Sequence, residues 1–577
     1  MISFIKNTNK TSIPTLKMSE NKEIMRSLNV VEINLLQRQG CNASNWNEIK
    51  ISPDLDLFNI QNVNFSGEVM IHSGVVLREI PGGIGGCVIK ENARIENVAS
   101  LKFDPEANHG VGTPVAVLDE TGSRSVYIYP GISSQVATLM AREPRWVKNM
   151  LDSSIREFLD SRMTPPHIGE NAVVRNCGPI KNVSIGNEVI VDGASRLENG
   201  SLINNAAPGK CFTFVGNSVE AENFILEDGR IESKCLITNC YIGQGTILSH
   251  AFSAHDCMFF ANCNMENGEA HSLLAGPYSV SMHKGTLLIG CQTSFMNAGS
   301  STNQSNHMYK LGPVHWGVME RGVKTASGSY LMLGAKIGAF SMLMGSHKTH
   351  PDSSEFPFSY LFGDERGATV VVPAVMLRSC GLLRDEMKWP KRDRRQKRKM
   401  PLFDHITFNV LNPFTVDAML TALSTIEELL TKPADDDLYV RYKGMKFTRA
   451  ALERAKTLYS IAIYKFLSIK LPDLKLPDSD GKEPQKWLDL GGQVITRETL
   501  GKVLDCSDIM EAENILGVAD ADFEKQELLW IGRRFGEWWR QRQDFIIFNA
   551  RKFDEVVEED RQQYLQMLTR EKDMLEL

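Results

Sequence analysis

A small aliphatic residue returns every six positions between about 166 and 350, often with glycine directly behind it. Val219, Ile225, Ile231 and Ile237 follow one another at intervals of six. Around them stand Ile168-Gly169, Ile185-Gly186, Ile242-Gly243, Ile289-Gly290, Leu333-Gly334 and Ile337-Gly338. A helix would demand returns at three, four and seven residues, and an amphipathic strand returns at two; neither fits. A period of six suits a short strand and a turn per unit, with three units closing one triangular coil. One aliphatic side chain per unit then points inward and stacks on its counterpart in the next coil. Three such steps lead from Ile185 to Ile203. Gly, Asn, Ser, Ala and Asp fill the corners, where positive φ or close backbone approach is needed. A β-sandwich of short strands would not keep this register.

The rest of the chain of 577 residues divides around this array. Residues 1–50 read as a helical or irregular segment. Residues 51–128, rich in Val, Ile, Gly and Asn, read as less regular coils. In 129–165 the spacing turns helical, from Gln135–Ala141 and Trp146 to Leu159, and Pro165-Pro166 closes a helical insertion packed on the outside of the stack. The regular coils then run over 166–382. Eight basic residues and one acid, Asp393, fall between Lys388 and Lys399, so 383–400 reads as a basic, solvated linker or an electrostatic site for phosphate-rich ligands. Residues 401–577 read as an α-helical domain that caps the open end of the solenoid.

Composition removes several classes. No apolar run approaches the roughly 18–20 residues of a bilayer crossing, and the first residues develop no signal-peptide core. Eleven cysteines without CxxC pairs point to reduced thiols and a cytoplasmic setting. With 64 basic against 70 acidic side chains, no nucleic-acid binding is expected. There is no Walker loop, GxSxG elbow or nucleotidyltransferase signature.

Eight of the twelve histidines fall between 250 and 350: His250, His255, His271, His283, His307, His315, His347 and His350. Such crowding of the usual general base and metal ligand on a rigid scaffold points to a site. Around them runs a polar tract from Asn297 to Gly317 that includes Asn303, Gln304, Ser305, Asn306, His307, Tyr309, Lys310 and His315. Its amides and hydroxyls suit a hydroxylated or phosphorylated ligand. Lys284, Lys310 and Lys324 suit phosphate, and Tyr309 and Trp316 offer flat apolar faces. His347-Lys348-Thr349-His350 reads as a solvated corner before a turn.

The six-residue pattern resembles the hexapeptide-repeat, left-handed β-helix proteins: trimeric acyltransferases, acetyltransferase halves of nucleotide-sugar enzymes and γ-class carbonic anhydrases. A closer likeness, including Asn303 through Pro313, is to long hexapeptide-repeat proteins of unassigned function. The resemblance implies a mainly β fold, a left-handed parallel β-helix with a helical insertion and a helical C-terminal domain, and a homotrimer. It further implies transfer of an acyl group from acyl-CoA or an acyl carrier to a sugar, nucleotide-sugar or related phosphorylated metabolite. His307 or His283 would then be the general base, Asn303, Gln304 and Asn306 would orient substrate, and Lys310 and Lys284 would meet phosphate.

Two other readings stand beside it. His250-x4-His255-x-Cys257 resembles the γ-carbonic-anhydrase segment. With His271 or His283 in place of the upstream third ligand, His250, His255 and His271 would hold a divalent metal for a hydratase. The third is a non-catalytic binding or scaffold protein.

Overall fold

The structure, a computed structural model, describes residues 25–147, 155–163, 165–306, 315–432, 438–471, 481–540 and 543–575. Its middle is a parallel β-solenoid, and one column of inward side chains defines the register. Ile89, Ile168, Ile185, Leu202, Leu226, Ile242, Phe259, Ala275, Thr293, Met319 and Ile337 pair in succession along neighbouring strands. Every one of them is buried. Stacking one such residue per coil supplies the hydrophobic drive that an isolated coil lacks.

The register corrects the sequence reading in detail. Most coils from Ile168 onward advance by a nearly constant step, but loops lengthen it between Leu202 and Leu226 and again between Thr293 and Met319. Ile185 pairs with Leu202, and not with Ile203. Ile225, expected inside, points outward, because adjacent residues of a strand face opposite sides and Leu226 takes the interior.

Corners explain the asparagines. Asn182, Asn199, Asn223, Asn239 and Asp256 stand above one another at one corner, all with φ between 48° and 58°. Asn and Asp tolerate this left-handed conformation better than other side chains. Their amides also form a ladder: Asn199 Nδ2 donates to Asn223 Oδ1 (2.8 Å), Asn223 Nδ2 to Asn239 Oδ1 (3.0 Å) and Asn239 Nδ2 to Asp256 Oδ1 (3.2 Å).

Solenoid pairing stops at Lys102 and resumes at His167, so the excursion from the coils starts earlier than the expected 129. It holds an antiparallel hairpin (Pro114–Val115 with Val126–Tyr127) and the helices Ser134–Arg142 and Ile155–Arg162. Its apolar side chains, among them Val136, Leu139, Met140 and Trp146, form a second core against the outward residues Ile225, Tyr241, Met258, Phe260 and Leu274. Leu490, Ile495, Val503 and Leu516, from a C-terminal hairpin and helices, complete it. One outer face of the solenoid is thus covered by the chain itself.

Beyond the coils, the helices Pro413–Thr431 and Arg449–Lys470 share the interior core of the solenoid and close its end. The C-terminal region is not purely helical. The hairpin Tyr439–Tyr442/Met445–Thr448 extends the main sheet through Thr369–Val372, and Trp487–Leu490/Gln493–Thr496 forms a separate hairpin. Nor is the basic segment a solvated linker. It forms the helices Cys380–Arg392 and Arg394–Arg398, with Arg395 and Asp393 both buried and paired at 2.9 Å. Asn262 Nδ2 donates to Asp393 Oδ1 (3.0 Å) and Arg394 Nη1 to the Gly245 carbonyl (2.6 Å), which fastens the segment to the coils. All eleven cysteines are free thiols. Among the described residues no helix is long and apolar enough to cross a membrane.

Candidate functional site

Of the residues expected to form a site in the polar tract, the described ones are spread between the solenoid interior and its surface. Asn303–Ser305 is a strand of the solenoid, half-buried at Asn303 and Ser305. Gln304 is buried: its Oε1 accepts from the Ile289 N–H (2.9 Å) and its amide faces Met319. Asn306 is buried too, donating to the Glu120 carboxylate. Both amides hold the fold together. His283 and Lys284 sit on an exposed turn, and Lys324 Nζ lies 2.6 Å from Asp385 Oδ2. His315 is half-buried, with no hydrogen-bond partner for Nε2 among the described residues. His347, expected on a solvated corner, is buried instead, its Nδ1 2.9 Å from Thr369 Oγ1. His307, Tyr309 and Lys310 lie outside the described residues.

Of the three histidines expected to hold a metal, two meet. His255 and His271 are register partners with ring centroids 5.7 Å apart. Each is matched to a carboxylate, His255 Nδ1 to Asp256 Oδ2 (2.9 Å) and His271 Nε2 to Glu269 Oε1 (2.8 Å). His250 turns instead toward Ser249 and Glu266. Among the described residues no three His, Cys, Asp or Glu side chains converge to hold an ion.

A different site emerges where the covered face begins. The outward column next to the inward one runs Val88, His167, Ser184, Ser201, Ile225, Tyr241, Met258, Leu274, Gln292, Val318, Lys336. It is apolar from Ile225 to Leu274, under the second core, and mostly polar on either side. At the upstream margin His167, Ser184 and Ser201 line a cleft of about 540 Å³. Lys90, Asn187, Asn204, Asn205 and Glu227 join them from the coils, Gly131 and Arg162 from the excursion, and Phe403 from the C-terminal region.

His167 Nδ1 donates to the Pro165 carbonyl (2.9 Å) and lies 3.1 Å from Ser184 Oγ. Because a carbonyl only accepts, the proton sits on Nδ1 and Nε2 keeps its lone pair. Burial lowers the imidazole pKa, against the Pro165 hydrogen bond, and Lys90 lowers it further, so the ring is neutral near pH 7.

Glu227 is 1% exposed, and burial, reinforced by the adjacent Asp228 charge, pushes its pKa up to about 7. The Gly131 N–H (2.7 Å) and Tyr241 hydroxyl (2.8 Å) donate to its Oε2, and Asn205 Nδ2 to its Oε1 (3.0 Å). Asp228 is held by the Asn205 N–H (2.7 Å) and Gln244 Nε2 (3.1 Å). Nearby, the buried Tyr129 hydroxyl has no hydrogen-bond partner among the described residues. An acid poised near neutrality, a neutral imidazole and two cations in one cleft can bind an anionic, hydroxylated molecule and move a proton on it.

Counting histidines could not find this site, since His167 stands alone in its stretch of sequence. The legible signal was Glu227 itself. It occupies the corner after an inward aliphatic residue, where Gly169, Gly186 and Gly243 stand in other coils.

Comparison with known proteins gives a family but no activity. The model of a family described as Domain of unknown function (DUF4954) matches residues 25–87 and 70–430. An uncharacterized protein of Treponema pallidum (strain Nichols) is 24% identical over an alignment of 468 positions that covers 72% of this chain. The match spans 64% of that relative's length.

Proposed function

The chain belongs to the family described as Domain of unknown function (DUF4954), and on that premise we propose that it is a transferase of the hexapeptide-repeat, left-handed β-helix kind, acting on a phosphorylated, polyhydroxylated metabolite in the cleft of His167 and Glu227. The observation that carries the reading is the convergence there of a neutral imidazole with its Nδ1 tied down, a carboxyl near neutrality, Lys90 and Arg162.

In the favoured reaction, acyl transfer, His167 Nε2 removes the proton of a substrate hydroxyl as its oxygen attacks the thioester carbonyl of acyl-CoA or an acyl carrier. The carbon–sulfur bond breaks, and the imidazolium returns the proton to the leaving thiolate. Ser184 and the Pro165 carbonyl keep the ring oriented. Glu227, close to half-protonated at pH 7, offers a hydrogen bond of either sense to a sugar hydroxyl. Lys90 and Arg162 meet the phosphate, and Asn187, Asn204 and Asn205 line the remaining wall. In this reading His167 is the general base, the role that the family resemblance implies for His307 or His283. Because the excursion and the C-terminal hairpin cover the adjoining face, a homotrimer would form through other faces of the solenoid.

The test is release of free thiol from a panel of acyl-CoAs in the presence of sugar phosphates and nucleotide sugars. Thiol release that depends on the acceptor and falls at least 100-fold in His167→Ala supports the reading. Release unaffected by His167→Ala, or none with any pair, overturns it.

A further inference from the structure

A second cleft, of about 200 Å³, opens at the downstream margin of the covered face. It shares two features with the first, a glutamate at the corner and flanking cations, and has no imidazole in its lining. Glu320 takes the same corner as Glu227, one residue past the inward Met319, and its Oε2 accepts from the Ala339 N–H (3.0 Å). Arg142 enters from the excursion as Arg162 does upstream, and Lys336 comes from the outward column.

What the second cleft adds is Arg321. This side chain is 1% exposed and lines the cleft. Its Nη2 donates to the Thr407 carbonyl, but Nε and Nη1 have no hydrogen-bond partner among the described residues. Asp489 Oδ2 is 3.8 Å from Nε, and the guanidinium carbon lies 5.1 Å from the Phe295 ring centroid. Asp489 is itself held by the Gly492 N–H (2.8 Å). Gln292 Oε1, in the same lining, is also buried and unpartnered among the described residues. A buried guanidinium left with free donors is costly to a protein unless something completes it.

The charges point to what that is. Arg142, Arg321 and Lys336 face two acids, Asp489 and Glu320. Burial lifts the Glu320 carboxyl to about 8, so it is largely neutral at pH 7 and the cations outnumber the anions. We propose that this cleft binds a small oxyanion, a phosphate or a short carboxylate, with Arg321 at its floor, Arg142 and Lys336 at its mouth and Gln292 accepting from a hydroxyl of the ligand. The volume equals roughly six to seven waters at about 30 Å³ each, which admits such an ion. This site is independent of the transferase reading, because it shares no residue with the upstream cleft.

The test is titration calorimetry of the full chain with inorganic phosphate and, separately, malonate. Expected is binding of at least one, weakened tenfold or more both in Arg321→Met and in the double variant Arg142→Ala/Lys336→Ala, and unchanged in Arg38→Ala, on the N-terminal helix Val30–Arg38 and outside both clefts. The double variant alters side chains at the mouth and so reads binding even where Arg321→Met fails to fold. Absence of binding by both anions at millimolar concentration overturns the proposal, as does binding that the double variant leaves intact.

Discussion

Glu227 and Glu320 occupy the same corner of the repeat, five coils apart, in a column that otherwise reads Gly243, Phe260, Gly276 and Ser294 between them. With strands about 4.8 Å apart, the two carboxyls are separated by roughly 24 Å along the solenoid. They stand at the two edges of the face that the chain covers with its own excursion and C-terminal hairpin. Each is crowded enough to titrate near neutrality, Glu227 at about 7 and Glu320 at about 8.

This placement makes stability depend on pH in a definite direction. An unfolded glutamate titrates near 4.5, whereas folded Glu227 holds its proton to about 7. Below 4.5 both states are protonated and nothing is lost. Between 4.5 and 7 the unfolded chain releases a proton that the folded chain keeps, so stability falls as pH rises, by about 3 kcal/mol for Glu227. Glu513, near 7 and bonded to Ser133, adds in the same sense. Urea unfolding at pH 5, 6, 7 and 8 should show the decline, and Glu227→Gln should flatten it. An equally steep decline in the variant would remove Glu227 as its source.

Ile225 should behave as a core residue although it lies on the outside of the coil. It is fully buried beneath the excursion, so Ile225→Ala is expected to cost about 2–5 kcal/mol, comparable to Leu226→Ala inside. A cost below about 0.5 kcal/mol, the value for an ordinary surface position, would mean that the cover does not dock there. Chemical denaturation of both variants decides it.

Gln304→Ala should separate structure from binding. It leaves the Ile289 N–H without its acceptor and is expected to cost about 1–3 kcal/mol, while affinity for ligands of the upstream cleft stays unchanged. A loss of ligand affinity with stability intact would restore Gln304 to the binding role that its sequence context suggests.

Asp393→Ala removes the partner of a buried guanidinium. Arg395 is 2% exposed, and an uncompensated buried charge is expected to cost about 3–5 kcal/mol. Because the pair is shielded from solvent, added salt should barely change that cost; a loss that 1 M salt abolishes would place the pair at the surface.

The inward column was legible because its chemistry is local and repetitive: one aliphatic residue per unit, followed by a residue that turns the corner. Asparagines such as Asn199 and Asn223 carried the corner conformation in their own side chains. Phase was less legible. A loop that stretches one coil, as between Leu202 and Leu226, or a strand whose next residue faces the other way, shifts the count by one and exchanges Leu226 for Ile225.

Histidine density along the chain does not translate into density in space. Residues crowded along the chain at 250–350 are dealt out to different corners and faces, so that His255 and His271 meet while His283 stands on an exposed turn.

The amino-acid order alone settled that the middle of the chain is a stack of coils, because a period near six leaves no other way to bury its aliphatics. Which outer face is covered, and therefore where His167, Glu227, Arg162 and Arg321 gather into clefts, was settled only in three dimensions. Those clefts are made by segments from 104–165 and from the C-terminal region, far apart in sequence and bound to no repeat, and they close over the solenoid because its outward column turns apolar from Ile225 to Leu274.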